Sequence, residues 1–448
     1  MEAFEIALIS VGAMLALIYL GLHIGTTLAL ISFIGVWVIK GNATIALNLL
    51  WVSAYDSVNN YVFAAIPTFV LMGFLVAAAG MGRDAYDIAQ MMLRRVKGGL
   101  GMATVVANAI FAAITGVSVA SASVFSKLSV PEMLRHGYTV RFAVGTVAGS
   151  SVLGMLIPPS VLFIIYALIT EQSVGDMFVA GIGPGLLLTV IYCAQIFIMA
   201  HWFPQSVYVR SNANANAQSA AAEPAQEPEK GEILRKAMPI TLLITLVLGG
   251  LYGGVFTPVE AGAAGAFLGL IFAWVRRTLT WRGLWDVLLE TGSVTATLLF
   301  LIVAASMYSR MLGLSGLPNE LAAMFEASGL GFHGLLTIYV IIVLILGCII
   351  DSASIMLIMV PLFIAALKVY QIDLVWFGVV TVIATEVGLL TPPFGLAVFV
   401  VHSTLARADI SLKDIFIGSM PFAVSMCVVT ALVVIFPEIA TFLVKLRF

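Results

Sequence analysis

Runs of 17 to 30 apolar residues recur along this chain from one end to the other, and a run of that length crosses a hydrocarbon core of roughly 30 Å. So many of them leave little choice of fold, because only helices and closed barrels satisfy their own backbone in lipid. Composition agrees: of 448 residues, 61% are hydrophobic and 10% charged, and the mean hydropathy is +1.11. A soluble chain of this length needs more charge to cover its surface. The first run carries no cleavage pattern and is followed at once by a second, so it reads as a span and not as a signal peptide. A net charge of −2 offers nothing to nucleic acid. Cys193, Cys348 and Cys427 lie far apart inside apolar runs and read as packing residues, not disulfides or metal ligands.

The runs fall into two sets of six. The first is 5–21, 24–40, 64–80, 98–135, 142–170 and 177–203; the second is 237–255, 258–275, 285–308, 333–366, 373–405 and 415–444. Residues 204–236, which include NANANAQSAAAEPAQEPEKGE, are polar and without apolar periodicity, which predicts a flexible cytoplasmic linker between domains 1–203 and 237–448. Residues 41–63 read as an amphipathic interfacial stretch anchored by Trp51, Tyr55 and Tyr61. Two runs in each set have unusual lengths. Those at 98–135 and 333–366 are too long for one span and too short for two, with small polar residues at their centres (TGVSVASAS, 115–123; GCIIDSAS, 347–354). Each predicts a re-entrant hairpin with a non-helical tip. The runs that follow, 142–170 and 373–405, are each cut by a Pro-Pro pair.

The halves also share residues in order. Gly154-Met-Leu-Ile-Pro-Pro159 answers to Gly388-Leu-Leu-Thr-Pro-Pro393, Ser121-Ala-Ser123 to Ser352-Ala-Ser354, and Pro131 to Pro361. The distribution of Lys and Arg makes the two repeats antiparallel. Arg83, Arg94, Arg95, Lys97, Arg135 and Arg141 flank the first hairpin, whereas 311–332 is free of Lys and Arg and only Lys368 follows the second. The loops 276–284 and 406–414 are basic and 171–176 is not; Lys40, Lys445 and Arg447 run against the pattern. The expected fold is an all-α polytopic membrane protein of two inverted repeats, with both termini on the outer, periplasmic side.

Paired hairpin tips and paired Pro-interrupted helices build a carrier site near the bilayer midplane. A double proline frees carbonyls, which with Ser and Thr hydroxyls make an oxygen cage suited to Na⁺, and half-helix N-termini favour an anionic substrate group. The first ion site is expected at Gly116, Ser121, Gly154, Ile157 and Pro158, and the second at Gly347, Asp351, Thr385, Gly388, Thr391 and Pro392. A substrate carboxylate between the tips would meet Ser118, Ser121, Ser123, Ser352 and Ser354, with Pro159, Ser160 and Pro393 at the breaks. A single serine in a membrane helix is as often a packing residue. Asp351 differs, because a carboxylate at membrane depth needs a partner or a cavity. Glu386 and Glu260 fit either depth or an interface, and Arg310 reads as the outer end of a helix. The five histidines lack metal-ligand spacing, and no nucleophile–base set or phosphate loop appears, so the chain is not read as an enzyme.

These motifs resemble the large membrane subunit of tripartite ATP-independent periplasmic (TRAP) transporters, the DctM-like family. The stretches that carry the resemblance are IPTFVLMGFLVAAAGM, ITGVSVASASVFSKLSVPEMLRHGY, IPPSVLFIIYAL, GVFTPVEAGAAGAFLGL, GCIIDSASIMLIMVPLF and GLLTPPFGLAVFVV, in that order along essentially the whole chain. The first tip is less serine-rich than the SGSS type of many relatives, and Ser352-Ala-Ser354 stands where many have Pro-Thr after the Asp. The resemblance implies an elevator-type secondary transporter of the bacterial inner membrane that imports a small organic acid with Na⁺. It also implies a DctP-like periplasmic binding protein that delivers the substrate. A DctQ-like small membrane subunit of four helices is implied as a separate chain, since the two sets of six leave no block for it. The competing reading is a stand-alone divalent-anion:Na⁺ symporter of the wider ion-transporter group; a channel or intramembrane enzyme has no residue set in its favour.

Overall fold

The computed structural model describes residues 3–209, 230–407 and 409–446. Among them every regular element is helical, apart from one isolated antiparallel bridge between Tyr138 and Tyr208. Seven of these helices are long and apolar enough to cross a membrane, and a bent pair, Val140–Leu156 with Val161–Thr170, makes an eighth span.

Both halves run through the same succession. In the first, an amphipathic helix, Met81–Leu93, lies between Gly80 and Gly98, each at φ +77°, a left-handed conformation that glycine adopts without penalty. The hairpin follows, Gly99–Thr115 and Ser118–Arg135, then the broken helix, Val140–Ser151, Leu153–Leu156 and Val161–Thr170, and finally Val174–Trp202. In the second half Leu317–Ala327 lies between left-handed Gly316 and Gly329, and leads to the hairpin Gly331–Gly347 and Ser352–Val369. The broken helix Leu374–Gly388 and Leu396–Leu405 comes next, then Leu412–Ile435.

Contacts between the halves fix their relative direction. Arg141, at the start of the first broken helix, pairs with Asp414, just past the end of the second, at 2.8 Å. The Tyr166 hydroxyl, near the end of the first, donates to the carbonyl of Leu374, which starts the second, at 2.7 Å. Start therefore lies beside end at both levels, and the repeats are inverted. They also interlock. The return arm Ser118–Arg135 packs on Leu396–Leu405, and Ser352–Val369 packs on Val161–Thr170. Gly145 makes one of the closest crossings, since a Cβ there would lie 2.1 Å from the Gly418 carbonyl carbon of the last long helix.

Around this core stand the helices Ala3–Tyr19, Ile24–Lys40, Ala43–Asn59, Ala65–Ala78, Pro258–Val275 and Trp281–Ser315. Pro258–Val275 closes on Ala65–Ala78 through Gly262, Gly265 and Gly269, where an added Cβ would meet Thr68, Met72 and Leu75. Small residues at that spacing let two membrane helices approach closely enough for dispersion to hold them.

Several boundaries differ from the sequence reading. Residues 210–229 of the expected linker lie outside the described residues, but its edges are structured. Pro204–Val207 is a helical turn, the Tyr208 ring packs at a tilt against Tyr138 and its hydroxyl accepts from the Gly98 N–H at 2.8 Å, and a helix resumes at Lys230. Backbone groups there find partners on the first hairpin's base, which polarity of the sequence cannot reveal. The run 285–308 is the middle of a 35-residue helix, so Arg310 does not end it; Arg310 lies inside and pairs with Asp56 of Ala43–Asn59 at 2.5 Å. The run 415–444 is two helices, parted at Phe436–Pro437, because proline cannot donate into the helix it follows. The 41–63 stretch is a helix and a short 3₁₀ turn with Trp51, Tyr55 and Tyr61 all exposed.

Candidate functional site

Each hairpin tip is seated on the break of its own half. In the first half, Thr115 is followed by Gly116 at φ +67°, and Val117 is extended before Ser118 restarts the helix. A Cβ on Gly116 would lie 2.3 Å from the Pro159 carbonyl oxygen, so glycine is required both by φ and by the approach. The Gly116 carbonyl accepts from the Val161 N–H at 3.3 Å. Gly154 closes the other side, with a virtual Cβ 3.0 Å from the Ser118 Cα and N.

The second half repeats the device with other residues. Gly347 and Gly388 meet backbone to backbone, a Cβ on Gly388 falling 2.3 Å from the Gly347 Cα. The Cys348 carbonyl accepts from the Phe394 N–H at 3.2 Å, and the Cys348 thiol lies 3.1 Å from the Thr391 hydroxyl. Cys348 is thus part of the tip, with a polar partner, and not the plain packing residue that the sequence suggests.

Proline chemistry explains the breaks. Pro158 and Pro159 remove the N–H donors that the carbonyls of Gly154 and Met155 would use in a continuous helix, and Pro392 and Pro393 do the same for Gly388 and Leu389. Two hydroxyls repair part of the loss: Ser160 Oγ donates to the Met155 carbonyl at 2.5 Å, and Thr391 Oγ1 to the Gly388 carbonyl at 2.9 Å. Both Pro-Pro bonds are cis.

The expected site residues do not all play equivalent parts. Ser118 and Ser121 are buried at the first tip, and the Ser121 hydroxyl has no hydrogen-bond partner among the described residues, while Ser123 is half-buried. Asp351 caps the second return arm: its carboxylate accepts from the Ser354 N–H at 3.0 Å and from the Ser354 hydroxyl. Ser354 is therefore turned to Asp351, and Thr385 donates back to the Val382 carbonyl at 2.9 Å. Ser352 donates to Glu386 Oε1 at 3.0 Å. The two breaks also differ in exposure. Pro158 and Pro159 are buried with half-buried Ile157, whereas Pro392, Pro393 and Phe394 are exposed. Glu386, which the sequence left between depth and interface, is completely buried; its signal was a carboxylate inside an apolar run, as for Asp351. Glu260 is instead exposed, in a capping box with Thr257.

The arrangement brings carbonyls and hydroxyls to both breaks, and carboxylates to the second, in an otherwise apolar bundle, a donor set that suits small cations and polar solutes. The profile of one protein family, described as "Tripartite ATP-independent periplasmic transporter, DctM component", matches residues 11–439. The chain belongs to this family. It is the large permease subunit of a TRAP transporter, a multi-pass membrane protein and not an enzyme. Among its relatives, the C4-dicarboxylate TRAP transporter large permease protein DctM of Pseudomonas aeruginosa is 32% identical over 87% of this chain and 88% of that one. The sialic acid TRAP transporter large permease protein SiaM of Vibrio cholerae is 29% identical over 98% of each. Of solved structures, the Alcanivorax borkumensis YdaH transporter shares the fold, with a TM-score of 0.59 at 14% identity over 87% of this chain and 88% of that chain.

Proposed function

We propose that this permease imports a small organic acid with Na⁺, by an elevator movement of the two hairpins and two broken helices against the surrounding helices. The observation that carries the reading is the paired seating of tip on break, Gly116 on Pro159 and Gly347 on Gly388, in two inverted and interlocked repeats. Because each return arm packs on the other half's broken helix, these four elements form one body that can shift without losing its internal contacts. The glycine-flanked helices Met81–Leu93 and Leu317–Ala327 join that body to its frame at matching places.

In the proposed cycle one Na⁺ is held by Gly116, Ser121, Gly154, Ile157 and Pro158, and another by Gly347, Asp351, Thr385, Gly388, Thr391 and Pro392. The orphaned Ser121 hydroxyl, and the carbonyls of Gly154 and Leu389 whose helical donors are replaced by Pro158 and Pro393, favour hard cations at these points. Cation binding draws each tip onto its break, and the substrate carboxylate takes the helix N-terminus at Ser118 and the Ser123 hydroxyl, beside Pro159 and Pro393; the hydroxyls of Ser160, Ser352 and Ser354 are held by Met155, Glu386 and Asp351. The exposed second break gives the substrate its entrance. One relative is named for C4-dicarboxylates and another for sialic acid, both carboxylates, which agrees with a site that reads the acid group and leaves room beyond it.

The partners proposed are a DctQ-like small membrane subunit that widens the frame and a DctP-like periplasmic binding protein that brings the substrate. Both termini are placed in the periplasm. Three ion pairs support this orientation, because Asp84–Arg276, Asp87–Lys236 and Arg141–Asp414 draw basic residues of both halves to the ends taken as cytoplasmic. The test is uptake into proteoliposomes. It should require this chain, the small subunit, the binding protein and an inward Na⁺ gradient. Uptake of free substrate by this chain alone, or uptake indifferent to Na⁺, refutes the proposal.

A further inference from the structure

Glu386 lies in the second broken helix, two residues before Gly388, with no exposed surface. Its Oε1 accepts from Ser352 Oγ at 3.0 Å; its Oε2 has no hydrogen-bond partner among the described residues. None of the ion pairs among those residues involves it.

A carboxylate without a counter-charge is strongly unfavourable at membrane depth. Protonation alone removes the charge but leaves Oε2 without a hydrogen-bond partner, and a water molecule alone supplies a partner but leaves the charge; a monovalent cation at Oε2 answers both needs at once. We infer that Glu386, with the Ser352 hydroxyl, holds a monovalent cation of the sodium type beneath the second tip. The inference rests on the sodium-coupled reading above and adds to it a second carboxylate beside that of Asp351. It also gives the cation a structural consequence. Ser352 begins the return arm of the second hairpin, so a cation shared by Glu386 and Ser352 ties that arm to the broken helix.

The experiment uses the full-length chain in detergent and two readouts. First, the unmodified protein is treated with a hydrophobic carbodiimide, which attacks buried carboxyl groups, and the peptide carrying Glu386 is followed by mass spectrometry. Bound Na⁺ should slow its labelling about tenfold or more relative to choline at equal ionic strength. Second, Glu386→Gln keeps the volume and the acceptor for Ser352 but removes the charge. Its thermal stabilisation should need at least about tenfold more Na⁺ than that of the unmodified chain. Labelling equal in Na⁺ and choline, or a Glu386→Gln curve that overlays the unmodified one, overturns the inference. If the unmodified chain shows no stabilisation by Na⁺ at all, the sodium reading itself falls. If it does respond and Glu386→Gln responds identically, only the role of Glu386 falls.

Discussion

Gly388→Ala sets two physical effects against each other. Gly388 ends the helix Leu374–Gly388, and by helix propensity alone alanine would stabilise it by at most about 1 kcal/mol. The new Cβ, however, would stand 2.3 Å from the Gly347 Cα and 2.5 Å from its carbonyl carbon. Those are backbone atoms that cannot rotate away, so the second tip must lift from its break. Overpacking of this kind costs about 1–3 kcal/mol. The net effect should be destabilising, and a 1.4 kcal/mol loss in the cation-bound state weakens its binding about tenfold. Two further glycines calibrate the scale. A Cβ on Gly154 meets Ser118 backbone at 3.0 Å, and one on Gly292, within the helix Trp281–Ser315, meets nothing within 4 Å. Melting temperature in detergent and Na⁺-driven uptake in proteoliposomes should fall in the order Gly292→Ala, Gly154→Ala, Gly388→Ala, with Gly292→Ala at or slightly above the unmodified protein in stability. A Gly388→Ala chain that melts and transports like Gly292→Ala refutes the seating of tip on break.

Further outcomes follow from the same geometry. Arg141→Ala should lower stability by only about 0.2–1 kcal/mol, as for other half-exposed pairs, and exchanging the charges of Arg141 and Asp414 should restore it; a swap no better than either single charge reversal speaks against the inverted contact. Asp351→Asn keeps an acceptor for the Ser354 N–H whereas Asp351→Ala removes the cap, a loss of about 1 kcal/mol. If Asp351 ligates Na⁺, both variants lose Na⁺-dependent uptake and only the alanine melts lower; an asparagine variant with unmodified Na⁺ dependence confines Asp351 to capping. Replacing Pro158 and Pro159 by alanine restores the donors to Gly154 and Met155 and should abolish uptake, and normal transport there would reduce the first break to a kink.

Much of this architecture is legible in the residues, for local reasons. Run length against bilayer thickness gives the spans, the prolines at 158–159 and 392–393 give the breaks, and Gly116 and Asp351 mark where the hairpins turn and restart. Two boundaries differ because partners outside the segment decide them. Tyr208 is held by the Gly98 N–H, and Arg310 by Asp56 of another helix. Met81–Leu93 and Leu317–Ala327 carry no signal of a span, because their pattern is amphipathic and they are too short to cross.

The sequence by itself determined that this chain is a membrane carrier of two repeats with paired tips and breaks, since apolar length, proline and glycine act on the backbone wherever they occur. Only the tertiary structure decided what those tips and breaks touch. It put Gly347 on Gly388, turned Ser354 toward Asp351, left the second break exposed while burying the first, and buried Glu386 beside Ser352. Those outcomes depend on which helices of the two halves pack together. That choice is made by many small close contacts between residues far apart in the chain, as between Gly145 and Gly418, and no single segment contains it.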